Sequence, residues 1–110
     1  MTCQAAIQIL HALAHSTRWR LAERLLEQAI NAEVLAKILN LPRTTVSDHL
    51  QVMRRAGLLA GEQRGRLRRY RVIGEHAAII PALRNCLGIA LAGDQVLSAD
   101  AWNSQYVARS

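Results

Sequence analysis

The stretch Leu41-Pro42-Arg43-Thr44-Thr45-Val46-Ser47-Asp48-His49-Leu50-Gln51-Val52-Met53-Arg54-Arg55-Ala56-Gly57 decides how this chain folds. Val46, Leu50 and Met53 recur at the spacing that lines one side of a helix, and most positions between them are polar or charged. Pro42 suits the first turn of that helix, because the N–H it lacks would have no partner there. Gly57 suits the position just past a helix end, where left-handed backbone closes the last turn. The helix therefore runs from Pro42 to about Ala56. Upstream, Asn40-Leu41-Pro42 is a tight turn, and Ala32 to Leu39 forms a shorter helix capped by Asn31. Its expected inward residues are Val34, Leu35 and Ile38, with Glu33 well placed against the first-turn dipole. Two helices joined by so short a turn make a helix-turn-helix.

Outward toward the N-terminus, Ala6, Ile9, Leu10 and Leu13 mark a first helix from about Thr2 to Ala14. His15-Ser16 breaks it, and Ser16 is the expected cap of a second helix, Thr17 to about Gln28. There Leu21, Leu25 and Ala29 run beside Ala22 and Leu26, and Trp19 is expected against the core. Outward toward the C-terminus the period changes after Gly57. Leu58 to Gln63 and Arg66 to Ile73 read as two strands around an Arg64-Gly65 turn, with Tyr70 and Val72 on one face and Arg69 and Arg71 on the other. Gly74 leads into a last helix, His76 to Leu91, carrying Ile79, Leu83, Cys86 and Ala90 in one stripe. Pro81 requires that this helix either begin near Ile80 or kink. The order is α-α-α-α-β-β-α, mainly α with a small β-hairpin. Residues 1–92 are expected to form one domain, and 93–110 a tail whose Val96, Leu97, Trp102 and Tyr106 would allow a short helix.

Composition narrows the function. The chain has 110 residues, 51% of them apolar and none of them Phe, which suits one small core of packed aliphatic helices. It contains no apolar run long enough for a membrane span, and its first fifteen residues read as a retained helix, not an export signal. Two cysteines, Cys3 and Cys86, make no disulfide framework and fit a reducing cytoplasm. From Arg43 to Arg71 there are eight arginines against Asp48 and Glu62, while the remaining 81 residues carry six charges of each sign. A positive field confined to one segment implies a polyanionic partner. Arg suits this use better than Lys, since its planar fork fits phosphate and guanine. No nucleophile–base pair, phosphate-binding glycine loop or apolar carboxylate pair suggests an enzyme.

The runs Ala12-Leu13-Ala14-His15-Ser16-Thr17-Arg18, Leu41 to Leu50, Arg54-Arg55-Ala56-Gly57-Leu58, Arg64-Gly65-Arg66 and Tyr70-Arg71 together resemble the ArsR/SmtB family, over about residues 5 to 91. Those proteins are bacterial winged helix-turn-helix repressors that sense metals, metalloids or redox signals. The resemblance implies a cytoplasmic homodimer built from the first and last helices. One recognition helix per subunit would enter successive major grooves of a double-stranded operator.

With Val46, Leu50 and Met53 inward, Arg43, Thr44, Ser47, Asp48 and Gln51 should point outward toward base edges. Arg43 is the best candidate for a bidentate contact to guanine, and Thr44 and Ser47 can bond bases or phosphates. Asp48 would repel phosphate unless it accepts from a cytosine amine or pairs with an arginine; relatives often carry His or Gln there. His49 is a packing or phosphate-contact residue, and Arg54 and Arg55 either solvate the helix end or add grip. Arg64, Arg66 and Arg68 on the wing should meet backbone or minor groove.

The sensor is less defined. Family members that detect soft metals place Cys-x-Cys at the start of the third helix, where this chain has Asn31-Ala32-Glu33. Others use paired Asp, His and Glu ligands across the last helices, where it offers only Glu75, His76 and Cys86, so no metal set is assigned. Cys86 is either a small buried core residue or, with Cys3 of its own or the partner subunit, a thiol switch for arsenite or an oxidant. His11 and His15 are read as surface or dimer-interface residues, and no cofactor is expected. The competing function is a winged-helix module that contacts another protein and has no inducer site.

Overall fold

The structure, a computed structural model, describes residues 1–88. Each helix has a local reason for its boundaries. Helix α1 (Cys3–Leu13) opens at Thr2, whose hydroxyl accepts from the Ala5 N–H, and buries Ile9, Ala12 and Leu13. Helix α2 (Ser16–Glu27) buries Leu21, Ala22, Glu23 and Leu25. Its cap is His15, not Ser16: imidazole Nδ1 accepts from the Thr17 N–H at 3.1 Å. Strand β1 (Ile30–Asn31) leads directly into α3 (Ala32–Leu39), where Asn31 Oδ1 accepts from the Val34 N–H at 2.9 Å.

Helix α3 buries Leu35, Ala36 and Leu39, whereas Val34 and Ile38 stand 42% and 41% exposed. The expected inward set was thus turned by one residue. Asn40 then adopts a left-handed φ of 55° and returns N–H bonds to the end of α3, making the turn before α4 (Arg43–Arg55). Pro42 sits at the cap of α4, one residue before its first turn. Val46, Leu50 and Met53 are wholly buried, as their spacing required. Each such side chain contributes on the order of 1.5–3 kcal/mol of burial free energy. Past Ala56, Gly57 takes φ +86°. The N–H of Gly57 reaches the Arg54 carbonyl and that of Leu58 the Met53 carbonyl, and Leu58 is itself buried. This paired closure needs left-handed backbone at Gly57, which glycine adopts at least cost.

Strands β2 (Leu59–Arg64) and β3 (Leu67–Val72) form the hairpin, with Arg64 opposite Leu67, so the turn is Gly65-Arg66, one residue later than expected. The sheet has three strands in the order β1-β3-β2, because Ile30 pairs with Tyr70 and Asn31 with Arg69. A two-residue strand carries no periodicity, so β1 was absent from the expected order. Alternation along β3 buries Tyr70 and Val72 as expected.

The last helix differs most from its expectation. Gly74–His76 is a single 3₁₀ turn with His76 buried, and α5 (Ile79–Leu87) begins at Ile79, placing Pro81 in its first turn without a kink. Only Ile80 of α5 is fully buried; Ile79 and Leu83 pack partly against the core, and Cys86 is exposed rather than a core residue. Beside these apolar contacts, α5 carries one ion pair to the body among the described residues. Arg84 Nη2 donates to Glu23 Oε2 at 2.7 Å, and Glu23 retains only 7% exposure. Ala90, Leu91, the domain limit at residue 92 and the tail 93–110 lie outside the described residues.

Candidate nucleic-acid interface

The buried stripe of α4 fixes what the helix shows to solvent. Residues three and four apart share a helix face, so Thr44, Asp48 and Arg55 form the line most opposed to Val46, Leu50 and Met53, and all three are exposed. Arg43 is exposed at the first position of the helix, and Ser47 is half-buried on the adjoining flank. An uncapped helix start with a guanidinium beside it favours an approaching anion.

Two of the sequence-derived site residues are engaged inside the subunit. Gln51 turns toward the sheet, where its Nε2 donates to the Tyr70 hydroxyl at 3.4 Å, tying α4 to the centre of β3. His49 turns the other way, and its ring lies 4.7 Å from that of His15 at the α1–α2 corner. Arg18 closes this corner by donating from Nε to the Ala12 carbonyl. Partial burial, and then the Arg18 charge, hold the His15 imidazole below its ordinary pKa. For His49 partial burial is again the largest cause, followed by His15 and Arg18, with the Asp48 carboxylate opposing them. Both rings therefore favour the neutral form, which His15 needs in order to accept at Nδ1. The role of His15 was missed in the sequence because imidazole is an uncommon cap; Tyr70 was placed on the buried face but without its hydroxyl partner.

The wing arginines are divided by strand alternation. Arg64, Arg69 and Arg71 share one face with Glu62, which lies 3.2 Å from Arg64 and 3.9 Å from Arg69 and offsets part of their charge. Arg68 stands on the other face, the side of Tyr70 and hence of α4, and it is exposed. Its guanidinium lies over Gly61: a Cβ placed there would come within 2.7 Å of Arg68 Nε, so glycine leaves that path open. Arg66 is exposed in the turn itself, and Arg66 and Arg68 make no ion pair among the described residues. Arg43, Arg54, Arg55, Arg66, Arg68 and Arg71 are thus the exposed arginines of α4 and the wing that carry no ion pair among the described residues.

The two thiols are on other helices than α4. Cys3 is exposed on the first residue of α1 and Cys86 in the last turn of α5. Among the described residues no three of His, Cys, Asp and Glu come together as a group able to hold a metal ion. No described helix is long and apolar enough to cross a membrane.

Comparison with known proteins agrees with this architecture. A helix-turn-helix domain model matches residues 13–62. The HTH-type transcriptional regulator CmtR of Mycobacterium tuberculosis is 35% identical over 98 residues, spanning 86% of this chain and 81% of CmtR. The HTH-type transcriptional repressor SmtB of the same organism is 36% identical over 76 residues, which are 69% of this chain and 56% of SmtB, so the match spans little more than half of that relative. Among solved structures, HlyU from Vibrio cholerae superposes with a TM-score of 0.69 at 26% identity, over 76% of this chain and 91% of HlyU. The homodimeric winged helix-turn-helix DNA-binding domain of a Mycobacterium bovis protein gives the same TM-score and identity, over 77% and 79% of the two chains. Near-full-length similarity to CmtR and the shared wing and helix order lead to one conclusion: this chain belongs to the ArsR/SmtB family of winged helix-turn-helix regulators.

Proposed function

We propose that the chain is a sequence-specific transcriptional repressor that binds a double-stranded operator as a homodimer in the bacterial cytoplasm. The observation that carries this reading is the two-sided character of α4: one side is wholly buried, and the other presents polar side chains beside an arginine-rich wing. Electrostatic capture by Arg54, Arg55, Arg66 and Arg68 would be followed by base reading from Arg43, Thr44 and Ser47. Arg64 is held by Glu62 and contributes less, while Gln51 and His49 position the helix. Contact with six to ten phosphates would give a log–log salt slope of about −5 to −9.

Binding of the purified protein to its own upstream region tests this. Arg43→Ala should relax base choice at one pair, and Arg66→Ala should weaken all sequences alike. If both leave affinity within roughly twofold at about 150 mM salt, the assignment is wrong.

Dimerisation through α1 and α5 fits the apolar side chains they leave exposed, Ile7, Leu10 and Leu87. Release from the operator would follow a metalloid, metal or redox signal, and the accessible thiols of Cys3 and Cys86 make them the candidate receivers. Adding arsenite, zinc or peroxide to the complex checks this, and a response that survives Cys86→Ser excludes that thiol. The alternative, a module that contacts another protein, rests on exposed Val34 and Ile38 of α3. Retention on an acidic partner with no shift of any promoter fragment would favour it.

A further inference from the structure

Asp48 is exposed on the outermost line of α4, midway between Thr44 and the Arg54-Arg55 end. Eight arginines lie between residues 43 and 71, yet its carboxylate forms no salt bridge and no hydrogen bond among the described residues. A free negative charge on the surface that meets a polyanion weakens attachment to every duplex through repulsion. It is offset only where the groove supplies a donor, because an ionised carboxylate accepts and never donates. In the major groove two bases carry a donor. The adenine amine is flanked by the acceptors adenine N7 and thymine O4, which repel a carboxylate. The cytosine amine borders a C–H on its outer side, so an acidic side chain can approach it there.

We infer that Asp48 is a specificity-determining residue that requires cytosine at one position of each operator half-site and penalises all other duplexes. The inference rests on the DNA-binding reading above and adds to it the base class recognised and the means of rejecting non-operator DNA. Selectivity then has an attractive part at Arg43 and a repulsive part at Asp48.

The full chain and its Asp48→Asn variant are each used to select sites from a pool of randomised duplexes. Their affinities are then measured on the selected site, on a copy with the cytosine pair replaced, and on an unselected duplex. Wild type should select a C·G pair and lose about 5- to 150-fold when it is replaced. Asp48→Asn should bind the unselected duplex more tightly, lose the cytosine requirement, and shift toward adenine, whose N6 and N7 an amide can bridge. Because Asp48 is exposed and has no ion-pair partner among the described residues, the variant should keep the circular dichroism and melting of wild type. Selection of the same cytosine by the variant with equal discrimination, or unchanged affinity for the unselected duplex, overturns the role of Asp48 while leaving DNA binding intact. Failure of wild type to bind any duplex overturns both.

Discussion

Removing the Arg84 guanidinium should destabilise the protein far more than an ordinary surface substitution. Arg84→Met keeps an unbranched side chain of similar length in α5 but leaves the Glu23 carboxylate, 7% exposed, without its 2.7 Å partner. Breaking a buried ion pair from one side costs about 3–5 kcal/mol, since the remaining charge is desolvated and unpaired. The Arg84 side chain keeps 20% exposure, so water can partly replace it, and the lower end, about 3 kcal/mol, is expected. For a domain of this size that lowers the melting temperature by about 12 °C or more. Glu23→Met with Arg84→Met should return to within about 1 kcal/mol of wild type, because two apolar groups of similar volume need no counterion. Urea unfolding of the four proteins at neutral pH gives the coupling energy, and it must be run at one chain concentration because the proposed dimerisation would also contribute to stability. If Arg84→Met costs less than about 1 kcal/mol, or the double variant loses the sum of the two singles, α5 is not fastened by this pair.

Acid should loosen the α1–α2 corner. The unfolded imidazoles titrate near their ordinary value of about 6.5, whereas burial and Arg18 hold folded His15 and His49 lower. The unfolded state thus binds protons first, and the stability present above about pH 6.5 is lost as pH falls through the folded values. Melting temperatures between neutral and mildly acidic pH should show this slope, and His15→Asn with His49→Gln should flatten it while Asn retains a cap acceptor. On α3, Leu35→Ala should cost about 2–5 kcal/mol and Val34→Ala less than about 1 kcal/mol, checked by urea unfolding; the reverse order would restore the inward set expected from periodicity.

The features legible in the sequence were those with a distinctive period or a stereochemical need. The buried stripe of α4 stood out because its neighbours are polar, and Gly57 because few other residues close a helix in that way. Helix α3 was harder: five of its eight residues are Val34, Leu35, Ala36, Ile38 and Leu39, so apolar groups cover most of the circumference and only the neighbours choose a face. Strand β1 is too short to show alternation and exists because β3 offers it a free edge. The candidate reading face was legible at Arg43, Thr44 and Asp48, which lie opposite or beside the stripe. Gln51 and His49 sit on its flanks, where only the packed positions of Tyr70 and His15 decide whether a side chain faces outward or is engaged. Cys86 fell on an apolar stripe, but α5 meets the rest of the subunit along too little of its length to cover it.

Strand β3 is paired along one edge by β2 and at Arg69 and Tyr70 on the other by β1, and Tyr70 also accepts a hydrogen bond from Gln51 of α4. Helix α4 and the wing are therefore joined through a shared core that includes Leu50, Met53, Leu59 and Tyr70, and through one hydrogen bond. The proposed homodimer would then lose its grip through a change in the gap between its two helix-and-wing units, without unfolding of either. If the proposed release signal acts at α1 or α5 of the proposed homodimer, it should leave the Gln51–Tyr70 distance unaltered while shifting the separation of the two α4 helices off the helical repeat of DNA.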